Sequence, residues 1–134
     1  MAYSALADLL KMVPEDELAQ LTAEEGELPD PQVVAEAIAR ADAEIDSYLA
    51  LRYPVPLTTA SKRVKSLSVD LALYQLYSRR GLAPEVRRRR YEDAVAFLRQ
   101  VALGQAVIDG AGGDAPEDIA GADRLFSRDG LGNW

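Results

Sequence analysis

The chain contains no cysteine and no histidine, and its aromatic side chains include only one tryptophan and two phenylalanines. Without cysteine there can be no disulfide, no thiolate nucleophile and no thiolate-bound metal. Without histidine the commonest general base and transition-metal ligand is gone. Most familiar catalytic constellations are thereby excluded; paired carboxylates for hydrolysis are not excluded by counting, but no pair stands out. No apolar run approaches the ~20 residues of a membrane-spanning helix. The opening MAYSALADLLKMVPEDE carries Asp8 and lacks the basic start of a leader peptide, so a soluble, non-secreted protein with no membrane partner is expected.

What is present is 134 residues, 49% of them hydrophobic, with a net charge of -7. That length suits one domain, which buries roughly two thirds of the surface its unfolded chain exposes. The charge is segregated. Residues 1–50 hold twelve acids and two bases, residues 51–104 four acids and eleven bases, and residues 105–134 six acids and two bases. Such a pattern can be neutralised within one molecule, by packing acidic helices on basic ones, or between molecules, where an acidic face meets a neighbour's basic face. The sequence alone slightly favours the first.

Apolar spacing of three and four dominates as far as Gly104, and nothing alternates as a strand would. Ser4 is placed to cap a short helix over Ala5 to Val13, and Pro14 to open another ending near Leu21. TAEEGELPD then reads as a loop. Asp30 and Pro31 start a long helix in which Val34, Ile38, Ala41, Ile45, Tyr48, Leu49 and Arg52 recur at three and four. Pro54 forces Tyr53 out of helical geometry, so YPVP is an extended connector. A helix from about Ser61 to Arg80 has the broadest apolar arc and should be the most buried, with Gly81 as its left-handed cap. Pro84 opens the last, which packs Tyr91, Val95, Leu98 and Ala102 inward and stops at Gly104. The fold class is therefore all-α: a small bundle of about four helices over residues 1–104. Residues 105–134 change character. GQAVIDGAGGDAPEDIAGAD holds five of the nine glycines and reads as a flexible, extended tether. It leads to RLFSRDGLGNW, whose large aromatics on a polar arm suit a docking segment.

Four consecutive arginines, Arg87, Arg88, Arg89 and Arg90, invite a nucleic-acid reading. Consecutive helical residues step ~100° apart, so these four make a collar, where a groove-reading helix needs a stripe. Glu85 to Arg89 has the favourable i,i+4 order; Arg88 to Glu92 and Arg89 to Asp93 have the weaker one. Three readings stay open: a solvated or internally paired run, a salt-bridging protein surface, or a phosphate contact. A helix-turn-helix over LYSRRGLAPEVRRRRYEDA would bring Glu85, Glu92 and Asp93 toward phosphates. Asp70, inside the broad apolar helix, is either a buried acid or the partner of an arginine on a neighbouring helix. The acidic loop of Glu24, Glu25, Glu27 and Asp30 lacks calcium-loop spacing.

Five stretches, YSALADLL, AEIDSYLALRYPVPL, DLALYQLYSRR, RRRYEDAVAFLRQVALG and RLFSRDGLGNW, occur in an order that resembles one family along nearly the whole chain. That family is the small structural proteins of Mu-like phages and prophages, related to the head-tail connector (adaptor or head-completion) proteins of tailed phages. The resemblance implies a non-enzymatic virion neck protein with no catalytic residue, cofactor or metal, present in the host cytoplasm before assembly. It implies neighbouring copies in a homo-oligomeric ring, a dodecamer, beneath the portal protein. A further neck or tail-completion protein would sit below, and genomic DNA would pass without specific binding. It makes the four arginines candidate subunit or portal contacts. It also assigns Arg124, Leu125, Phe126, Ser127, Arg128, Asp129 and Trp134 to an interface, with Phe126 and Trp134 as anchors. The alternative is a small cytoplasmic helical DNA-binding regulator that uses the basic segment from Arg79 to Arg90.

Overall fold

A computed structural model describes residues 2–26 and 28–108. Among them are five helices and no strand: α1 (Leu6–Leu10), α2 (Glu15–Thr22), α3 (Pro31–Leu49), α4 (Lys62–Arg79) and α5 (Glu85–Ala102). The long helices α3, α4 and α5 pack on one another, and the short α1 and α2 lie against them. The all-α expectation holds, with five helices in place of about four.

The central helix is α4. Leu71, Leu73 and Leu76 are almost wholly buried, and Val64, Leu67, Val69 and Tyr77 extend the buried surface around it. It buries even Ser68, which a surface helix would leave wet. α3 contributes Val34, Ile38, Ala41, Ile45 and Leu49, α5 contributes Ala94, Val95, Leu98 and Val101, and the first two helices add Leu9, Leu18 and Leu21. Burial of large aliphatic side chains, at ~1.5–3 kcal/mol each, is what holds these short elements against the entropy of ordering them.

The helix boundaries follow the local chemistry. Asp30 accepts a bond from the Gln32 amide at 2.9 Å, and Ser61 accepts one from Val64 at 3.2 Å, so both act as N-caps. Gly81 has a φ of 74°, and the amides of Gly81 and Leu82 close back on Ser78 and Tyr77, a Schellman-type end. Gly104, at φ 81°, ends the last turn after α5, and the tip of the Arg52 side chain lies over its α-carbon.

At α1 the expectation needs correcting. Its N-cap is Ala5, whose amide is held from within the helix by the Asp8 carboxylate at 2.9 Å. Ser4 is buried, and its hydroxyl lies 2.6 Å from that of Ser68 on α4. A tertiary partner has taken the cap expected from local spacing. The packed body also runs past Gly104, since Ile108 is only 3% exposed within the core cluster.

Candidate functional site: the charged surfaces around α5

Pro84 precedes α5, and the four arginines occupy its first two turns, where they diverge as a collar. Arg89 pairs with Glu85 at 2.6 Å, both well exposed, in the favourable i,i+4 order. Arg90 turns inward, with Nη1 3.8 Å from Asp70 on α4. Arg87 is half-buried; its Nη1 is shut off from solvent with no hydrogen-bond partner among the described residues. Arg88 is exposed. The expected pairs from Arg88 to Glu92 and from Arg89 to Asp93 do not form. Arg89 is already held by Glu85, and the reverse order is weaker.

Asp70 behaves as the internal partner of an arginine. Burial pushes its carboxyl above the ordinary range, while Arg90 and then Arg87 oppose that shift. Tyr91, further along α5, stacks on Tyr74 with ring centroids 4.2 Å apart and donates to Glu44 on α3 at 3.0 Å. Its hydroxyl is pushed up to about 12, chiefly by burial and then by that acceptor. Arg63 lies over the Phe97 ring at 4.3 Å, a cation-π contact that pins the start of α4 beside the second half of α5.

The first two arginines of the basic segment are engaged inside the molecule. Arg79 donates to the Leu21 carbonyl at 2.8 Å; Arg80 reaches Leu21 at 3.3 Å and Ala23 at 3.1 Å. These are carbonyls at the C-terminal end of α2, where cationic donors are favoured. Tyr77 adds a hydrogen bond to Glu17, and burial and that acceptor push its hydroxyl up to about 12. Over Arg79 to Arg90, then, Arg79 and Arg80 are exposed guanidiniums already bonded to carbonyls, and Arg90 is about half exposed beside Asp70. In the acidic loop, Asp30 is occupied as the α3 cap and its amide donates to Thr22 at 2.9 Å. Glu27 lies outside the described residues.

Sequence reasoning missed a buried polar network around Asp42 on α3. The Tyr3 amide donates to Asp42 at 2.8 Å, and the Ser68 hydroxyl donates to the other Asp42 oxygen at 2.7 Å. The Tyr3 hydroxyl donates to Asp46 at 2.6 Å and accepts from the Leu57 amide at 2.8 Å. Burial, then the Asp46 acceptor, push that phenol up to about 12. Burial also raises the Asp42 carboxyl, against the two donors that favour its charge. The available signal was Asp42 itself, an acid four residues after Ile38 on the apolar stripe of α3. The network ties the N-terminus and the connector after α3 to the bundle.

Of the expected site residues, the structure places Arg87, Arg88, Arg89 and Arg90 on one helix but aims them at different surroundings. Arg124, Leu125, Phe126, Ser127, Arg128, Asp129 and Trp134 lie outside the described residues. Internal neutralisation of the segregated charge is slight. Among the described residues four ion pairs form, and one of them, Lys65 to Asp8 at 4.0 Å, joins the acidic first third to the basic middle.

The profile of the family described as "Bacteriophage Mu, Gp36" matches residues 3–125. The Mu-like prophage FluMu protein gp36 of Haemophilus influenzae is 39% identical over 75 residues, covering 56% of this chain and 52% of that protein. Gene product J of Escherichia phage Mu is 35% identical over 77 residues, covering 58% of this chain and 53% of its own length. The matched stretch thus spans about half of each relative.

Proposed function

The chain belongs to the bacteriophage Mu Gp36 family, and from that premise we propose that it is a non-enzymatic virion protein, a head-tail connector (adaptor) subunit. It would join neighbouring copies in a dodecameric ring under the portal protein, in the virion neck, after residing in the host cytoplasm. The observation that carries the reading is the family match over residues 3–125. The charged surface supports it: an acidic first third and a basic middle, bridged among the described residues by a single ion pair, leave charges for other molecules. A ring is built from heterologous contacts that close, and two faces of opposite sign on one subunit suit such contacts. Net negative charge suits a conduit, because each added phosphate contact would tighten DNA binding and slow its passage. A further neck or tail-completion protein would bind the opposite side of the ring.

The test is co-sedimentation with the portal ring of the same phage, with duplex DNA run in parallel. Stoichiometric portal binding, weakened by removing Arg124 to Trp134, is the expected result. Absence of portal binding together with tight, steeply salt-dependent DNA binding would overturn the connector in favour of a DNA-binding regulator.

A further inference from the structure

The chain has twelve arginines but only three lysines, Lys11, Lys62 and Lys65. Separated by up to 54 positions in sequence, all three line one groove between the end of α1 and the first turns of α4. The groove is about 200 Å³, with Met12 and Val69 supplying its apolar floor. Met12 is 38% exposed, so part of this apolar floor is open to a ligand. The cations on its rim are poorly matched. Asp8 is shared by Lys11 at 3.8 Å and Lys65 at 4.0 Å, Asp70 is engaged by Arg90, and Lys62 has no ion-pair partner among the described residues.

We propose that this groove is the docking site for the acidic segment 109–123 of the same chain, with Glu117 and Asp118 on the lysines and Ile119 on the apolar floor. The segment DGAGGDAPEDIAGAD carries five carboxylates and no base, the complement of three lysines that share the rim with Asp8 and Asp70. Its single large aliphatic side chain, Ile119, directly follows the Glu117-Asp118 pair, so one short stretch offers both chemistries the groove can take. Its small residues let a backbone lie close to a shallow surface.

The point of departure selects the chain's own segment over a neighbour's. The described body ends at Ile108, six residues after α5. The end of α5 lies beside the start of α4, because Arg63 stacks on Phe97 only five residues before Ala102. Eight residues lie between Ile108 and Glu117, and the nine steps from one to the other span about 15–18 Å for a Gly-rich random coil. Where the groove lies within that reach, the acids meet it at the millimolar effective concentration of a short tether. Docking there would leave RLFSRDGLGNW projecting from a fixed place on the body. The proposal stands whether or not the protein is a connector.

The experiment is amide nitrogen relaxation on the full chain at low salt. Docking predicts order parameters of about 0.8 at Glu117 to Ile119, against below about 0.6 for a free segment. Reversing the rim with Lys62→Glu and Lys65→Glu should drop these values below about 0.6 while the α3 to α5 resonances stay in place, because glutamate is welcome near a helix start. Adding Glu117→Lys and Asp118→Lys to that variant should restore them. Tenfold dilution should change nothing. Low order in the native chain, indifference to the rim reversal, failure of the swapped charges to restore order, or loss of order on dilution would each overturn the assignment. The last of these would place a neighbour's segment in the groove.

Discussion

Asp42 is the residue on which the N-terminal part of the fold depends most. It is 8% exposed and accepts from the Tyr3 amide and the Ser68 hydroxyl. Replacing it with alanine leaves a buried amide and a buried hydroxyl without their acceptor, a loss of about 1–3 kcal/mol measurable by urea unfolding. Its titration adds a second test. Burial raises its folded pKa above the ordinary 3.8, so the folded chain binds the proton more tightly than the unfolded one. That contribution is full below pH 3.8 and is lost as pH rises through the raised folded value. The stability gap between the native protein and Asp42→Asn, which cannot ionise, should therefore be widest in acid and narrow as pH rises above the carboxylate range. A gap that widens over the same interval would show that the donors outweigh burial. Little of this was legible beforehand. Asp42 interrupts an apolar stripe, but its partners lie 39 residues away at Tyr3 and 26 residues away at Ser68, and no local spacing reports contacts at such separations.

At the scale of elements, starts and stops were the most readable feature, because a cap is chemistry within a few residues. Asp30-Pro31, Ser61 and Gly81 each act where the sequence places them. Ser4 fails as a cap because Ser68 on α4 offers it a buried partner, a competition invisible within the first ten residues. The same limit applied to Arg79 and Arg80, which look like part of a basic run yet terminate α2 through its carbonyls. Arg79→Met keeps much of the aliphatic bulk and removes the donor to Leu21. The expected result is faster hydrogen exchange at the amides of α2, with α3, α4 and α5 unchanged, and a global loss of about 0.5–1.5 kcal/mol. In contrast, Leu73→Ala at the centre of α4 should lower the stability of the whole bundle by about 2–5 kcal/mol, seen as a common shift of all helical amides.

For the whole molecule the decisive property is where its charge is left. Segregation along the chain was visible by counting, but whether the halves neutralise each other depends on tertiary placement, which counting does not supply. With a single 4.0 Å pair joining them among the described residues, and its lysine about half exposed, that neutralisation contributes little to folding. Raising salt from about 0.05 to 0.5 M should thus move the unfolding free energy by less than about 1 kcal/mol. Association with the portal or with other copies should weaken clearly over the same range. A large salt dependence of folding itself would mean that the charged halves support each other after all. The stacked pair of Tyr74 and Tyr91 has an optical consequence. The chain's one tryptophan is Trp134, so every aromatic chromophore of the helical body is a tyrosine or phenylalanine. Near-ultraviolet dichroism of the tyrosines therefore reads the seating of α5 on α4, while indole fluorescence reads the far end of the sequence. One sample thus provides two separate colours for watching the body melt and the terminus find a partner.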